Sequence, residues 1–208
     1  MNHFITCYQD DDLLIVNKPS GLLCVPGLSS PDNLFDRILK QFPHARTVHR
    51  LDMGTSGLII FALNPESQKY MGKLFEQRKI YKRYLAEVNG ELSQHVGEVH
   101  LPLLCDWENR PKQRVDWENG KKGITFFKKI SFNTTQQTTR VQLEPHTGRS
   151  HQLRVHMLSI GHPIIGDELY NTNNSHKKAT RLHLHATELR FTHPKTHEPI
   201  QILCEPDF

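Results

Sequence analysis

The feature that most constrains the fold is a run of six apolar residues, Leu58-Ile59-Ile60-Phe61-Ala62-Leu63, bounded by Gly57 on one side and Asn64-Pro65-Glu66 on the other. A short apolar run between turn signals has no polar face to offer water, so it predicts a strand inside a sheet rather than at its edge. Asn64, Pro65 and Glu66 then read as a helix start: a capping side chain, a proline where its missing N–H is not needed, and an early acid. That helix continues through Met71, Leu74 and Phe75. Immediately before the run stands Val48-His49-Arg50-Leu51-Asp52-Met53-Gly54-Thr55-Ser56-Gly57. Charged residues leading directly into a buried strand place a carboxylate, Asp52, at the edge of a core. Taken alone, the arrangement is also that of a local salt bridge at a strand start.

Around this centre the periodicity changes several times. Leu13-Leu14-Ile15-Val16 predicts a buried strand ending at Lys18-Pro19-Ser20-Gly21. Asn33 to Phe42 carries helical spacing, with Asp32 as a cap candidate. Tyr84, Ala86 and Val88 alternate with polar neighbours and stop at Asn89-Gly90; further strands are expected over Gln113–Trp117, Ile124–Ile130 and Thr139–Leu143, with a loop at 133–137. Leu153, Met157 and Ile160 return to helical spacing before Gly161, and Leu182, Leu184 and Ala186 alternate again. No internal repeat, low-complexity tract or Pro/Gly/Ser-rich linker interrupts the chain. The expectation is one α+β domain over residues 1–208, a mixed, mostly antiparallel sheet flanked by helices and loops.

No segment approaches the length of a membrane span, and the first residues lack the basic and apolar regions of a signal peptide. The four cysteines, Cys7, Cys24, Cys105 and Cys204, are scattered, which predicts buried free thiols in a reducing, cytoplasmic setting. Net charge is +4. Its distribution is more informative, because basic clusters at Arg78-Lys79, Lys82-Arg83, Arg110 to Arg114, Lys121-Lys122, Lys128-Lys129 and Lys177-Lys178 include several beside aromatic residues. Phosphate contacts along an extended ligand and lysine-decorated strand edges explain them equally well.

Fourteen histidines invite a metal hypothesis, but no carboxylate stands at a ligand-motif spacing, so no metal is expected. Thr147-Gly148-Arg149-Ser150 opens the third helix and reads both as an ordinary cap and as an anion-facing turn. Arg149 and Arg154 leave that helix in different directions. There is no G-x-S-x-G for a serine hydrolase, and the GTSG after Asp52 lacks the lysine ending of a phosphate loop.

Taken together, His49-Arg50-Leu51-Asp52-Met53-Gly54-Thr55-Ser56-Gly57, Lys82-Arg83-Tyr84-Leu85-Ala86 and Gly148-Arg149-Ser150-His151-Gln152-Leu153-Arg154-Val155-His156 resemble the RluA-type family of RNA pseudouridine synthases. Asn17-Lys18-Pro19-Ser20-Gly21-Leu22, Gly161-His162-Pro163, Gly166-Asp167 and Leu184-His185-Ala186 extend the resemblance over nearly the whole chain. Val25-Pro26-Gly27, Leu101-Pro102-Leu103 and Cys105-Asp106-Trp107 through Asn109-Arg110-Pro111-Lys112-Gln113 resemble the branch acting on both 23S rRNA and tRNA. Gly120-Lys121-Lys122-Gly123-Ile124-Thr125 departs from many relatives, locally.

The resemblance implies a catalytic cleft across the sheet, and an enzyme that breaks a uridine's glycosidic bond, rotates the base and rejoins it through C5. It implies no cofactor and no metal. Asp52 matches the essential aspartate, acting on the ribose or the base; Tyr84 matches the active-site tyrosine, and Arg154 the arginine that pairs with the aspartate. Arg50 matches the residue that enters the stack when the uridine flips out. His49, Arg149, His151, Lys112 and Arg114 are expected RNA contacts. The implied partners are 23S rRNA and tRNA stem-loops, with no membrane and no obligate protein partner. The family's N-terminal S4-like domain is not expected, since the motifs begin almost at once. A non-catalytic RNA-binding module and a hydrolase using Asp52 as nucleophile are the alternatives.

Overall fold

The computed structural model describes residues 4–27, 30–170 and 179–208. Along the chain the elements are β1 (Ile5–Gln9), β2 (Leu13–Lys18), α1 (Leu34–Leu39), β3 (Arg46–Thr47), β4 (Ser56–Ala62), α2 (Pro65–Glu76), β5 (Tyr81–Asn89), β6 (Val96–Cys105), β7 (Gln113–Val115), β8 (Lys121–Asn133), β9 (Thr138–Pro145), α3 (Gln152–Ser159), β10 (Leu184–Thr192) and β11 (Pro199–Leu203). The fold is α+β with a mixed, mostly antiparallel sheet, as expected. It divides into two compact units: residues 1–82 with 185–208, and residues 83–184.

In the first unit the apolar run is the centre. All seven residues of β4 are buried. β2 pairs antiparallel to it from Leu13↔Ala62 to Lys18↔Gly57, and β10 runs parallel to it with His185↔Ser56 and Ala186↔Gly57. Gly57 is required there: its φ is +108°, and a Cβ would stand 2.4 Å from the Ala186 carbonyl oxygen. α2 covers β4 with Met71 and Leu74. It starts as the sequence predicts, with Asn64 Oδ1 accepting the Ser67 N–H at 2.8 Å. α1 differs from expectation at both ends. Asn33, not Asp32, is its cap, because Asn33 Oδ1 reaches the Asp36 N–H at 2.9 Å while Asp32 turns to the Arg37 guanidinium.

In the second unit β5, β9, β8, β6 and β7 follow one another as antiparallel neighbours. Ala86, Val88, Val99, Phe127, Val141 and Leu143 from the strands enclose Leu153 and Met157 of α3 in one core cluster. β6 escaped the sequence reading because Gly97 and Pro102 interrupt its pattern; its carbonyl at Pro102 is used instead by the Asp116 N–H. The third helix starts later than expected. Its first residue is Gln152, preceded by His151 in the left-handed region at φ +53° without a side-chain cap bond. Neither Ser150 nor Thr147 caps it. Gln152 does the tying instead: Oε1 accepts from Thr147 Oγ1 and the Arg149 N–H, while Nε2 donates to the Ile124 carbonyl and Thr125 Oγ1. Lys177-Lys178 lies outside the described residues.

Candidate active site

Asp52 stands half-buried in the segment between β3 and β4, and the turn after β2 clamps that segment at four places. Lys18 is fully buried, and its Nζ donates to the carbonyls of Pro19 at 2.9 Å, Leu22 at 2.7 Å and Met53 at 3.0 Å. Ser20 Oγ donates to the Gly54 carbonyl at 2.6 Å, and the Gly21 N–H to the Met53 carbonyl at 2.9 Å. Cys24 Sγ accepts the Leu51 N–H at 3.2 Å and its thiol donates to the Leu51 carbonyl at 3.1 Å. The Asp52 carbonyl accepts from the Thr55 N–H at 3.1 Å, closing the turn into β4.

Lys18 does more than pin the backbone. Burial pulls its amine down to about 8, against the opposing influence of Cys24 and Asp52. At neutral pH it is a cation inside the fold on the aspartate's side, and such a charge favours the carboxylate form of a neighbour. Each of its three bonds is charge-assisted, on the order of 1.5–3 kcal/mol, which offsets its desolvation. The sequence reading quoted Lys18 only as part of a turn; one lysine at the end of an apolar strand gave no sign that it points inward.

The two residues flanking this loop separate in role. Arg50 is exposed and makes no hydrogen bond or ion pair among the described residues. His49 faces the fold: its Nε2 accepts the Ile60 N–H at 2.9 Å and its ring lies 4.6 Å from that of Phe75. Burial lowers its pKa to about 3, so the imidazole is neutral. Its RNA-contact expectation therefore rests on a ring already engaged by β4 and α2.

The second unit gathers a different set. Arg154 is 6% exposed and pairs with Asp167 through two parallel bonds, Nε to Oδ2 and Nη2 to Oδ1, both 2.7 Å. Oδ1 of Asp167 also accepts the N–H groups of Leu169 and Tyr170. The Arg154 guanidinium lies 4.9 Å from the centre of the Tyr170 ring. The Tyr170 hydroxyl accepts the Gln113 N–H at 2.6 Å and sits 2.7 Å from His151 Nδ1. Tyr170 thus draws Arg154, His151 and the strand end bearing Lys112 and Arg114 into one group. Arg149 stays half-exposed and donates through Nε to the Lys122 carbonyl at 3.2 Å, while Arg114 is an exposed partner of Asp116 at 3.3 Å. Tyr84, on β5 opposite Leu143, packs against the unit's core cluster. Asp167 and Tyr170 were not foreseen as site residues; Gly166-Asp167 was the available sign.

Among the described residues, Asp10, Asp12 and His193 bring ligand-type atoms within 4.8 Å of one another. They are already engaged. His193 Nδ1 accepts the Lys195 and Thr196 N–H groups, so its proton lies on Nε2, which donates to Asp10 Oδ2 at 2.8 Å. Asp12 Oδ1 accepts from Asn64 and Ser67.

The chain matches the family described as RNA pseudouridylate synthase over residues 12–159. It is 48% identical over 206 residues to the dual-specificity RNA pseudouridine synthase RluA of Yersinia pestis, covering 98% of this chain and 100% of that one. It is 46% identical over 203 residues to the RluA of Haemophilus influenzae, covering 97% and 92%. Among solved structures, human RNA pseudouridylate synthase domain containing 1 superposes with a TM-score of 0.85 at 28% identity, over 99% of this chain and 84% of that one.

Proposed function

The chain belongs to the RNA pseudouridylate synthase family, and we propose on that premise that it isomerises uridines to pseudouridine in two kinds of RNA, a 23S rRNA hairpin loop and the first loop uridine of tRNA anticodon stem-loops. The observation that carries the reading is the clamped Asp52 loop, in which a buried ammonium and four backbone ties hold one half-buried carboxylate in a fixed place. A carboxylate so held is prepared to act as an anion on the ribose or the base.

The reacting atoms of a stacked uridine are out of reach, so the base must leave the helix. Arg50, exposed beside Asp52, is the proposed occupant of the gap, because a planar guanidinium stacks where a base has left. Arg154 is the proposed partner of Asp52 and Tyr84 the proposed aromatic group at the base, serving proton removal. Asp167 supports Arg154 in this reading by fixing the plane of its guanidinium. Arg149, His151, Lys112 and Arg114 are the proposed RNA contacts. The reaction moves a bond within one nucleotide and calls for no cofactor or metal.

The two substrates share one mode of recognition if their loops are reshaped on binding, as single-stranded loops allow. The test offers each minimal stem-loop, and intact 23S rRNA, carrying tritium at uridine C5. Only C5 isomerisation frees that hydrogen, so release from both hairpins is the expected result. Binding without release would make the chain a non-catalytic RNA binder. Release from intact 23S rRNA alone would make it a ribosome-specific synthase.

A further inference from the structure

Both tryptophans of the chain are exposed, but they are not equivalent. Trp107 carries the Arg110 guanidinium 4.2 Å from its ring centre, so one of its faces is taken. Trp117 is 74% exposed, and among the described residues no ring or cation stacks on it. The turn that bears it joins β7 to β8 and is tied at several points. The Asp116 N–H donates to the Pro102 carbonyl at 3.0 Å, and the Gly120 N–H to the Asp116 carbonyl at 3.0 Å. Asp116 Oδ1 accepts the N–H groups of Asn119 at 2.8 Å and Glu118 at 3.2 Å. Gly120 lets the turn sit on β6: a Cβ there would stand 2.2 Å from the Asp116 carbonyl oxygen and 2.9 Å from Pro102 Cβ. The indole therefore has a fixed place. It is one wall of a shallow groove of about 270 Å³, lined otherwise by His100, Leu101, Pro102, Gly120 and Lys122.

A single exposed aromatic is ordinary on a protein surface. The charges around this one say what it faces. Lys122 is part of the groove, its carbonyl accepts from Arg149 Nε at 3.2 Å, and Lys121 is exposed beside it. The acids nearby are mostly engaged: Glu98 Oε2 lies 2.7 Å from His100 Nε2, and Asp116 Oδ2 lies 3.3 Å from Arg114 Nη2, while Glu118 stays in solvent. A flat aromatic wall beside cations suits a nucleotide, which offers a flat base to the one and a phosphate to the other. A stable protein interface takes roughly 800 Å² from each partner, more than a groove of six residues supplies. We propose that this groove is a second nucleotide subsite, in which an unstacked base of the substrate RNA, other than the uridine being isomerised, stacks on Trp117 while Lys122 and Arg149 meet the adjoining phosphates. The subsite rests on the RNA-directed reading above and deepens it. None of Asp52, Tyr84 and Arg154 lines the groove, so a base held there is held for position and not for reaction. Every base has a π face, so stacking adds affinity and register without choosing a sequence.

The test is a double-mutant cycle read in binding. The full-length chain, Trp117→Ala and Trp117→Phe are titrated with the tRNA anticodon stem-loop, with a short single-stranded oligouridylate, and with stem-loops carrying an abasic site at one loop position at a time. Trp117→Ala should weaken both intact RNAs roughly ten-fold and Trp117→Phe less than about three-fold, with the melting temperature unmoved because the side chain stands in solvent. One abasic position should weaken the wild-type chain by the same factor and Trp117→Ala no further. In Trp107→Phe, which leaves Trp117 as the one indole, either RNA should quench the fluorescence, and this reading survives even if Trp117→Ala fails to fold. Equal affinities in wild type and Trp117→Ala, a Trp117→Phe as weak as the alanine variant, no abasic position coupled to Trp117, unquenched fluorescence or failure of both RNAs to bind would each overturn the proposal. So would a Trp117-dependent dimer in sedimentation equilibrium, which would give the groove to a second copy. Tritium release is scored separately. Release without Trp117 coupling leaves the isomerase standing without this subsite, and coupling without release leaves the subsite on a non-catalytic RNA binder.

Discussion

Aspartate and asparagine differ by one charge and almost no volume, so Asp52→Asn leaves the clamp around residues 51–54 in place. Turnover by tritium release should fall below detection, while filter binding to a stem-loop changes by no more than a few-fold, because phosphate contacts dominate affinity. Easily measured turnover would remove Asp52 from the chemistry. Arg154→Lys keeps the charge but loses the two-point pairing with Asp167. Losing one charge-assisted bond, about 1.5–3 kcal/mol, predicts roughly a 10–100-fold fall in turnover if it passes to the transition state. Arg149→Lys, half-exposed with one long bond to a carbonyl, should cost less than ten-fold, on the order of 1 kcal/mol. Equal losses in the two lysine variants would mean that the guanidinium plane of Arg154 is not what matters. At this scale Asp52 and Arg154 were visible in the sequence as motif positions. Lys18, Cys24 and Tyr170 were not, because what makes them important is a bond to a backbone group many residues away; Asp167 acts through the side chain of Arg154 on another element.

At the scale of elements, what was legible followed hydrophobic contrast. β2, β4 and α2 announce themselves because their patterns are unbroken and α2 carries its own cap. β1 and β3 do not, since a short, largely exposed strand is specified by the partner it lies on rather than by its own residues. α3 was found, but it starts at Gln152, after the Thr147–Ser150 segment expected to open it, since the glutamine that organises its entry resembles no N-cap signal. The cap of α2 gives a clean measurement. Asn64→Ala removes the acceptor for the Ser67 N–H and the donor to Asp12, and should cost about 1 kcal/mol or somewhat more in chemical denaturation. A loss near zero would show that Pro65 alone organises the first turn.

At the scale of the molecule, two imidazoles turned into the fold, His49 half-buried and His156 fully buried, weigh against stability in acid. His49 is neutral down to about pH 3 and His156, bonded to Thr125 and the Leu101 carbonyl, down to about pH 4. Both take a proton near pH 6.5 once unfolded. Between those values the unfolded chain binds more protons, so stability is full above pH 6.5 and falls as the pH drops, by about 1.4 kcal/mol per pH unit for each group. Urea midpoints measured at pH 7.5, 6 and 5 should decline in that order, before the carboxylates begin to titrate. A flat profile would mean that the histidines are solvated in the fold. Chelation is the other global test: dialysis against a strong chelator should leave turnover unchanged, and a loss restored by zinc alone would return the histidines to consideration as ligands.

The first unit is assembled from residues 1–82 and 185–208, with the whole of the second unit spelled out between them. During translation, therefore, β4 leaves the ribosome more than a hundred residues before β10, the strand that lies parallel to it and for which Gly57 leaves room. The second unit is continuous, and β5, β9, β8, β6 and β7 can pair with one another as soon as it emerges. The nascent chain must carry its most apolar strand unmatched on that side while an entire neighbour is synthesised, so in a pulse-chase the second unit becomes protease-resistant first and the Asp52 loop last.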